Sequence, residues 1–455
     1  MNSTMKLAEF VAGIRYGQLP IDVVRMAKRC IRDSLGCALG GYATRSGRTV
    51  ADLVAQMGGR REATLLGAGI RVPAPLAAFA NAHLANVLDF DDTCEGHPGA
   101  TVIPSALAAA ECFGVDGERF VAAVVAGYET SIRVMSAYQP CGGRFVAAWD
   151  LGTLQAHGAV AAAAVCARLT AEQVANAFGL VSATAPVPLA RKPRATGQGR
   201  SDIKSAYGYA CAAALAAVHL TASGFRGPAD ALEEPMWAWE RVVHAEGSSA
   251  CLAGRLGEEY LIKRVEFKPY PACRFLHSTL EAVERATEGV EVRVDEISKI
   301  EVHSYRLLGD EYHHLPRPSS PTDAQFSVPY CVSCLIHGGK LLATDFSESA
   351  ILRPEVLSLA SRVRWYLHPQ FDSGFPDRLG SHVVINLSDG SRLEGTVEHP
   401  RGSADRPLSE EELTSKFMGL VGPAIGDLRA IQLMAAVDQL ESSRSVAVLS
   451  DLLGS

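Results

Sequence analysis

Apolar residues recur at spacings of three and four from Val23 to about Ala253, as in Val23, Met26, Ala27, Cys30, Ile31 and Leu35, which predicts a succession of amphipathic helices. Alanine fills many of these stretches, notably residues 156–169 and 206–217, lowering the cost of each helical residue and letting helices approach closely. Turn residues punctuate them at Gly40-Gly41, Met57-Gly58-Gly59, His97-Pro98-Gly99, Cys141-Gly142-Gly143 and Gly224-Phe225-Arg226-Gly227-Pro228. The first half of the chain reads as an all-helical domain.

The period changes after Lys263. Residues 292–305 and 383–397 carry β-branched side chains in partial alternation, and the second stretch holds Ser388-Asp389-Gly390, a hairpin turn. Helical segments are expected between them, over residues 275–288 and 325–335. From Leu408 the helical period returns, opening on Ser409 as a cap with Glu410, Glu411 and Glu412 in the first turn. The expected fold is mainly α: a large all-helical domain (residues 1–265), a smaller α+β lid domain (266–404), and a helical tail (405–455) returning to the first domain.

A length of 455 residues suits such a division, at roughly 150 residues per domain. The 43 basic and 50 acidic side chains leave a net charge of −7, so no overall field draws the protein to nucleic acid or to an anionic membrane. Small molecules, or a second copy of the chain, are the expected partners. The longest apolar runs fall short of the roughly 20 residues that span a bilayer. The N-terminal MNSTMKLAEF has no secretory pattern, so a cytoplasmic location is expected. Eleven scattered cysteines make no disulfide framework and are expected to be free.

The densest polar cluster is Asp89-Phe90-Asp91-Asp92-Thr93-Cys94-Glu95-Gly96-His97. If the helix entering from Ala77 continues to Thr93, then Asp89, Asp92 and Thr93 share a face. Mutual repulsion of such carboxylates can raise a pKa and favour acid–base work, although a solvated helix end explains the same letters. His97 precedes Pro98-Gly99, which places it on a loop, with a new helix expected from Pro104. An imidazole there would stand beside a helix N-terminus suited to a carboxylate.

Two basic clusters follow. In Arg191-Lys192-Pro193-Arg194 and Arg200-Ser201-Asp202-Ile203-Lys204 most cations read as solvated, and Lys204, at the mouth of an apolar helix, is the one placed to enter a pocket. Lys268-Pro269-Tyr270-Pro271-Ala272-Cys273-Arg274-Phe275-Leu276-His277 is a proline-stiffened crossing between the two domains, holding Lys268, Arg274 and His277 where clefts form. Cys331 and Cys334 form a lone C-x-x-C that reads as core thiols. Gly67-Ala68-Gly69 lacks the rest of a dinucleotide fingerprint, and no metal or nucleotide motif is present, so no cofactor and no metal are expected. Asp89-Phe-Asp91-Asp92-Thr93 also resembles the D-x-D-x-T motif of haloacid dehalogenase-type phosphotransferases, but residues 79–88 have a helical period where that motif needs a buried strand.

Taken in order, Leu88-Asp-Phe-Asp-Asp-Thr93, His97-Pro98-Gly99, Lys204 before its alanine-rich helix, Lys268-Pro-Tyr-Pro-Ala-Cys-Arg274, residues 324–330 (AQFSVPY) and the late His399-Pro-Arg-Gly resemble the MmgE/PrpD family over nearly the whole chain. The resemblance implies a homodimer with the active site in the cleft between the helical and lid domains. It also implies metal-independent chemistry on a small di- or tricarboxylate, as in methylcitrate dehydratases, cis-aconitate decarboxylase and iminodisuccinate epimerase. By motif position the catalytic residues would be His97, Asp89, Lys204, Tyr330 and His277, with Thr93, Lys268, Cys273 and Arg274 binding substrate. The residue types fit: lysines and an arginine offset charge that develops on a carboxylate oxygen, while a histidine, oriented here by Asp89, moves the α-proton.

The family's decarboxylase pattern has a histidine where this chain has Trp149, and another where it has Cys273. Asn86 stands where many members carry histidine, altering the support for Asp89. These departures argue against cis-aconitate decarboxylation and leave a cofactor-independent dehydratase, methylcitrate-like in its substrate, as the expected function. An epimerase or isomerase of a dicarboxylate such as iminodisuccinate is the alternative, and a cis-aconitate-type decarboxylase ranks behind both.

Overall fold

A computed structural model of the chain describes residues 2–138, 152–187, 202–233 and 250–453. Helices α1 (Ser3–Gly13), α2 (Ile21–Tyr42) and α3 (Arg45–Met57) lead into a short antiparallel hairpin, β1 (Ala63–Leu65) and β2 (Ile70–Val72). Six more helices follow: α4 (Ala74–Asn86), α5 (Pro98–Phe113), α6 (Gly117–Tyr138), α7 (Gly152–Cys166), α8 (Ala171–Thr184) and α9 (Tyr207–Ala222). The hairpin departs from the all-helical expectation. Its strands have three residues each, too few to show alternation, and Gly67 and Gly69 form its turn at φ 78° and 66°.

Every residue of α7 is buried, which accounts for the unbroken alanine run seen in the sequence: the helix is apolar all round because helices surround it. Small residues set the spacing elsewhere too. A Cβ added at Gly41 would overlap the carbonyl oxygen of Leu84, where α2 crosses α4. Gly41→Ala is therefore expected to destabilise the protein by about 1–3 kcal/mol, the usual range for overpacking. A urea midpoint equal to that of the parent would contradict this close crossing.

The smaller domain contains α10 (His277–Ala286), β3 (Ile297–Ser304), α11 (Pro321–Phe326), α12 (Val328–Gly338), α13 (Pro354–Ala360), β4 (Val363–Leu367), β5 (Ser381–Leu387) and β6 (Arg392–Val397). The sheet order is β4-β3-β5-β6, with β4 parallel to β3 and the other pairs antiparallel. The hairpin expected at Ser388-Asp389-Gly390 is β5–β6, and α10 packs on these two strands. Strand β4 shows no clear signal in the sequence because it is an edge strand with only Val363 buried.

The described residues form two large hydrophobic cores, one of them running from Tyr270 to Val397, and a small cluster of Cys37, Leu88 and Phe90. The larger core gathers the helices up to Phe267 and takes in Leu408, Leu413, Phe417 and Val421. The last three of these lie on α14 (Glu410–Ile425), which packs on α2 and is followed by α15 (Asp427–Asp438). Ser409 and Glu412 form the expected capping box, each accepting the other's backbone N–H. The chain is thus mainly α with a smaller α+β unit, and no helix of the described residues is long and apolar enough to cross a membrane.

Candidate active site

Helix α4 stops at Asn86 rather than continuing to Thr93, so the proposed common face of Asp89, Asp92 and Thr93 does not exist. Two causes act together: carboxylates at a helix C-terminus oppose its dipole, and Asp89 adopts a left-handed conformation (φ 49°), which aspartate tolerates better than most residues. The same helix end, where the dehalogenase motif requires a strand, removes that alternative's structural context. The loop folds inward instead, and Asp89, Asp91 and Asp92 are each no more than 1% exposed. A buried carboxylate needs a partner, and each has a different one.

Asp89 is held by two lysines. Its Oδ1 lies 2.6 Å from Lys268 Nζ and 2.9 Å from Lys204 Nζ. Lys268 also donates to the Asp89 carbonyl (2.9 Å), and Lys204 to the Asn86 carbonyl (3.0 Å). Burial alone would raise the Asp89 pKa, but the two ammonium groups overturn that and hold the carboxyl well below its ordinary range. Three groups distant in sequence thus form one buried triad with a net charge of +1. Asp89 Oδ2 has no hydrogen-bond partner among the described residues.

Asp91, not Asp89, orients the histidine. His97 Nδ1 is 3.0 Å from Asp91 Oδ2, whereas His97 Nε2 is 4.0 Å from Asp89 Oδ1. The Asn86 amide steadies Asp91 by donating to both of its oxygens (3.1 and 3.2 Å), while Asn86 Oδ1 accepts from Ser205 (2.8 Å). Asn86 therefore supports Asp91 rather than Asp89. Burial lowers the His97 pKa despite the opposing pull of Asp91, so the ring is neutral at physiological pH. With its Nδ1 proton donated to Asp91, the Nε2 lone pair faces the lysine–aspartate triad, and the side chain keeps 23% exposure.

His97 caps α5, which begins at Pro98 rather than Pro104; proline is favoured at a first helical position and Pro98 occupies it. At the helix N-terminus the Gly99 N–H is taken by Asp92 Oδ1 (2.9 Å). The other Asp92 oxygen accepts from Tyr128 (2.5 Å). Burial, reinforced by Asp33, pushes the Asp92 pKa up to about 8, so it carries a proton at neutral pH.

The smaller domain closes the other side. Thr93 and Glu266 exchange backbone hydrogen bonds of 2.9 Å, and the Gln325 amide donates to the Val87 carbonyl (3.0 Å). Arg274 binds Glu266 through Nε (2.7 Å) and the Arg401 carbonyl through Nη1 (3.2 Å), leaving Nη2 buried without a partner among the described residues. His277 is wholly buried, and both ring nitrogens are engaged: one with the Ala272 carbonyl (3.1 Å), the other with Arg274 (3.2 Å). Burial and the nearby cations hold its pKa well below 6.5, and its place is one of support for Arg274. Cys273 is buried, its N–H donating to the Gln325 carbonyl (2.9 Å). The Tyr330 hydroxyl donates to the Asp345 carbonyl (2.6 Å), within the smaller domain.

Asp89, Lys204, Lys268 and His97 thus converge, Thr93 and Arg274 lie at the domain crossing, and Tyr330 and His277 are committed to local partners. Asp91 and Gln155, whose Oε1 accepts the His97 N–H (3.2 Å), complete the surroundings of the imidazole. Sequence reading passed over both. Asp91 was visible as the middle acid of its cluster, but nothing marked Gln155. Trp149, Cys141-Gly142-Gly143, residues 191–194 and 197–201 lie outside the described residues. The ten cysteines described are free, Cys331 and Cys334 being buried on α12.

Asp89, Asp91 and His97 place ligand atoms within 4.8 Å of one another, the spacing of a metal site. The donor set does not suit one: two ammonium groups already sit on Asp89 Oδ1, and a dication there would meet both. A neutral imidazole beside a buried cationic triad is instead suited to proton transfer next to a carboxylate.

The fold is a mainly helical chain with a smaller α+β unit, and the relatives it resembles are enzymes of the lyase class. The chain belongs to the MmgE/PrpD family, whose N-terminal domain model matches residues 5–249 and C-terminal domain model residues 270–440. It is similar to the cis-aconitate decarboxylases of Homo sapiens (25% identical over 467 residues, covering 99% of this chain and 94% of the relative) and Mus musculus (25% over 465 residues, 99% and 93%). That of Aspergillus terreus is 23% identical over 487 residues, covering 99% and 95%.

Proposed function

We propose that the protein is a cofactor-independent lyase that removes an α-proton from a small hydroxylated di- or tricarboxylate and expels the β-hydroxyl as water. The observation that carries this reading is the Asp91–His97 pair set against the Asp89–Lys204–Lys268 triad. In the proposed step His97 Nε2 takes the proton from carbon, the C–H electron pair becomes the new double bond, and the C–O bond breaks. The imidazolium then protonates the departing hydroxyl, so the proton leaves in the water and the ring is neutral again. Lys204 and Lys268 offset charge on the substrate carboxylate as the carbanion develops. The buried Arg274 Nη2 is a donor for a second carboxylate.

One base favours a lyase over the two-base epimerase alternative. Among the described histidines at the site, His97 has a ring nitrogen without a hydrogen bond, and His277 has none. Decarboxylation of cis-aconitate is the second reading, supported by relatives that match 99% of the chain. Cys273 and Trp149, standing where the decarboxylase pattern has histidines, weigh against it.

Proton NMR of the EDTA-treated protein in deuterium oxide separates these readings. Dehydration of citrate or methylcitrate gives a vinylic signal, and the same panel includes cis-aconitate and an aspartate-derived imine. Itaconate from cis-aconitate would replace dehydration with decarboxylation, and deuterium uptake with inversion alone would replace both with epimerisation. Silence across the panel would overturn the reading.

A further inference from the structure

A second charged site lies away from this centre. The end of α1, the first turn of α6 and the C-terminal end of α7 surround a cleft of about 310 Å³, whose rim carries Arg15, Arg119 and Arg168 over a floor that includes Val11, Val165 and Leu169. Helix α7 joins it to the active site, since Gln155 near its other end holds the His97 N–H. The ten residues from Gln155 to Val165 put the two about 15 Å apart along the helix axis.

Like charges gathered without an acid cost free energy unless something else is served. None of the three guanidinium groups forms an ion pair among the described residues. The nearest acid acting on Arg119 is Asp116, whose Oδ1 already accepts the Arg119 N–H (2.8 Å) as a helix cap. Arg119 Nη1 reaches the Val165 carbonyl at 3.4 Å, a long contact, and its Nε is buried with no partner among the described residues. Burial lowers the Arg119 pKa, and Arg168 and Arg15 push the same way against the opposing pull of Asp116.

The backbone fixes the other two. Arg15 Nη1 curls back onto the Ala12 and Ile14 carbonyls (both 2.8 Å). Arg168 takes a left-handed conformation (φ 56°) just past the end of α7. Placing a non-glycine residue there is unfavourable, and it sets the side chain beside the cleft. Satisfying the C-terminal carbonyls of α7 would use one arginine, not three.

We propose that this cleft binds a small organic polyanion with at least two phosphate or carboxylate groups, at a site separate from the active centre. Guanidinium groups match paired oxyanion oxygens in geometry as well as charge, and the apolar floor accepts the body of the ligand.

Isothermal titration of the whole protein at low ionic strength, with pyrophosphate and with citrate as probes, tests the proposal. Saturable binding of at least one probe is expected, with a Kd below about 1 mM. Arg15 and Arg168 are exposed, so Arg15→Gln and Arg168→Gln keep the fold, and each is expected to weaken binding about tenfold. Arg274→Gln, which removes the donor assigned to a substrate carboxylate at the active centre, leaves that binding unchanged, which separates the cleft from any citrate held there. Preference for pyrophosphate would identify a phosphate-bearing ligand, and preference for citrate a polycarboxylate. Absence of saturable binding by both probes at several millimolar, or an affinity unmoved by both arginine variants, would overturn it.

Discussion

Replacing His97 with Gln lowers turnover by about a hundredfold to ten-thousandfold, the range for loss of a general base, while KM changes little. Substrate carboxylates are assigned to Lys204, Lys268 and Arg274, none of which hydrogen-bonds to the imidazole, so ground-state binding survives the substitution. Asp91→Asn reaches a comparable loss by another route. An amide can donate to Nδ1 as well as accept from it, so the ring is free to take the tautomer in which Nε2 carries the proton and cannot act as base. The pH profile gives an independent check. Burial puts the His97 pKa below 6.5, and a base works when unprotonated, so activity stays level on descending through pH 6.5 and falls only as pH drops through the lowered value. Near-parent turnover in His97→Gln would remove this residue from the mechanism. An acid limb at or above pH 6.5 would contradict its buried setting.

The fold class and part of this site were legible in the sequence, each for a local reason. Helical period, the Ser409 cap and the 388–390 turn are short-range signals, and each appears as an element of the structure. His97 could be placed on a loop because Pro98 constrains the residue before it. What failed was extrapolation through Asp89: a single left-handed residue ends the helical register, so the face shared by Asp89 and Asp92 dissolves and Asp91 turns to the imidazole. The triad was invisible to spacing, since Lys204 and Lys268 stand 115 and 179 positions from Asp89, and only the family resemblance suggested that they meet. Tyr330 and His277 show the converse. Motif position marked them, but their polar atoms are already bonded to Asp345, Ala272 and Arg274.

Lys416→Met is expected to cost about 3–5 kcal/mol of stability, the range for removing one partner of a buried ion pair. Lys416, on α14, is the point where the returning tail meets the acidic loop: its Nζ lies 2.6 Å from Asp33 Oδ1 on α2 and donates to the Phe90 carbonyl at 2.7 Å. It also stands 4.2 Å from the centre of the Phe90 ring. Both charged side chains are almost wholly buried, at 6% and 3% exposure, and this is the one ion pair of Asp33 among the described residues. Burial already pushes the Asp33 pKa up, with Lys416 partly offsetting it, so removing the ammonium raises it further. A carboxyl with a folded pKa above its unfolded value binds protons more tightly when folded. The deficit of Lys416→Met is therefore full above the raised Asp33 value and shrinks as pH falls through it. Asp33→Asn combined with Lys416→Met removes the stranded charge and recovers part of the loss. Phe90 lies between Asp89 and Asp91, so the single variant also loosens the loop that aims His97, and turnover falls together with stability. Urea titrations of the two variants at neutral and acidic pH measure this directly, and a single-variant loss below about 1 kcal/mol, or a double variant no more stable than the single, would show that the pair does not hold the loop.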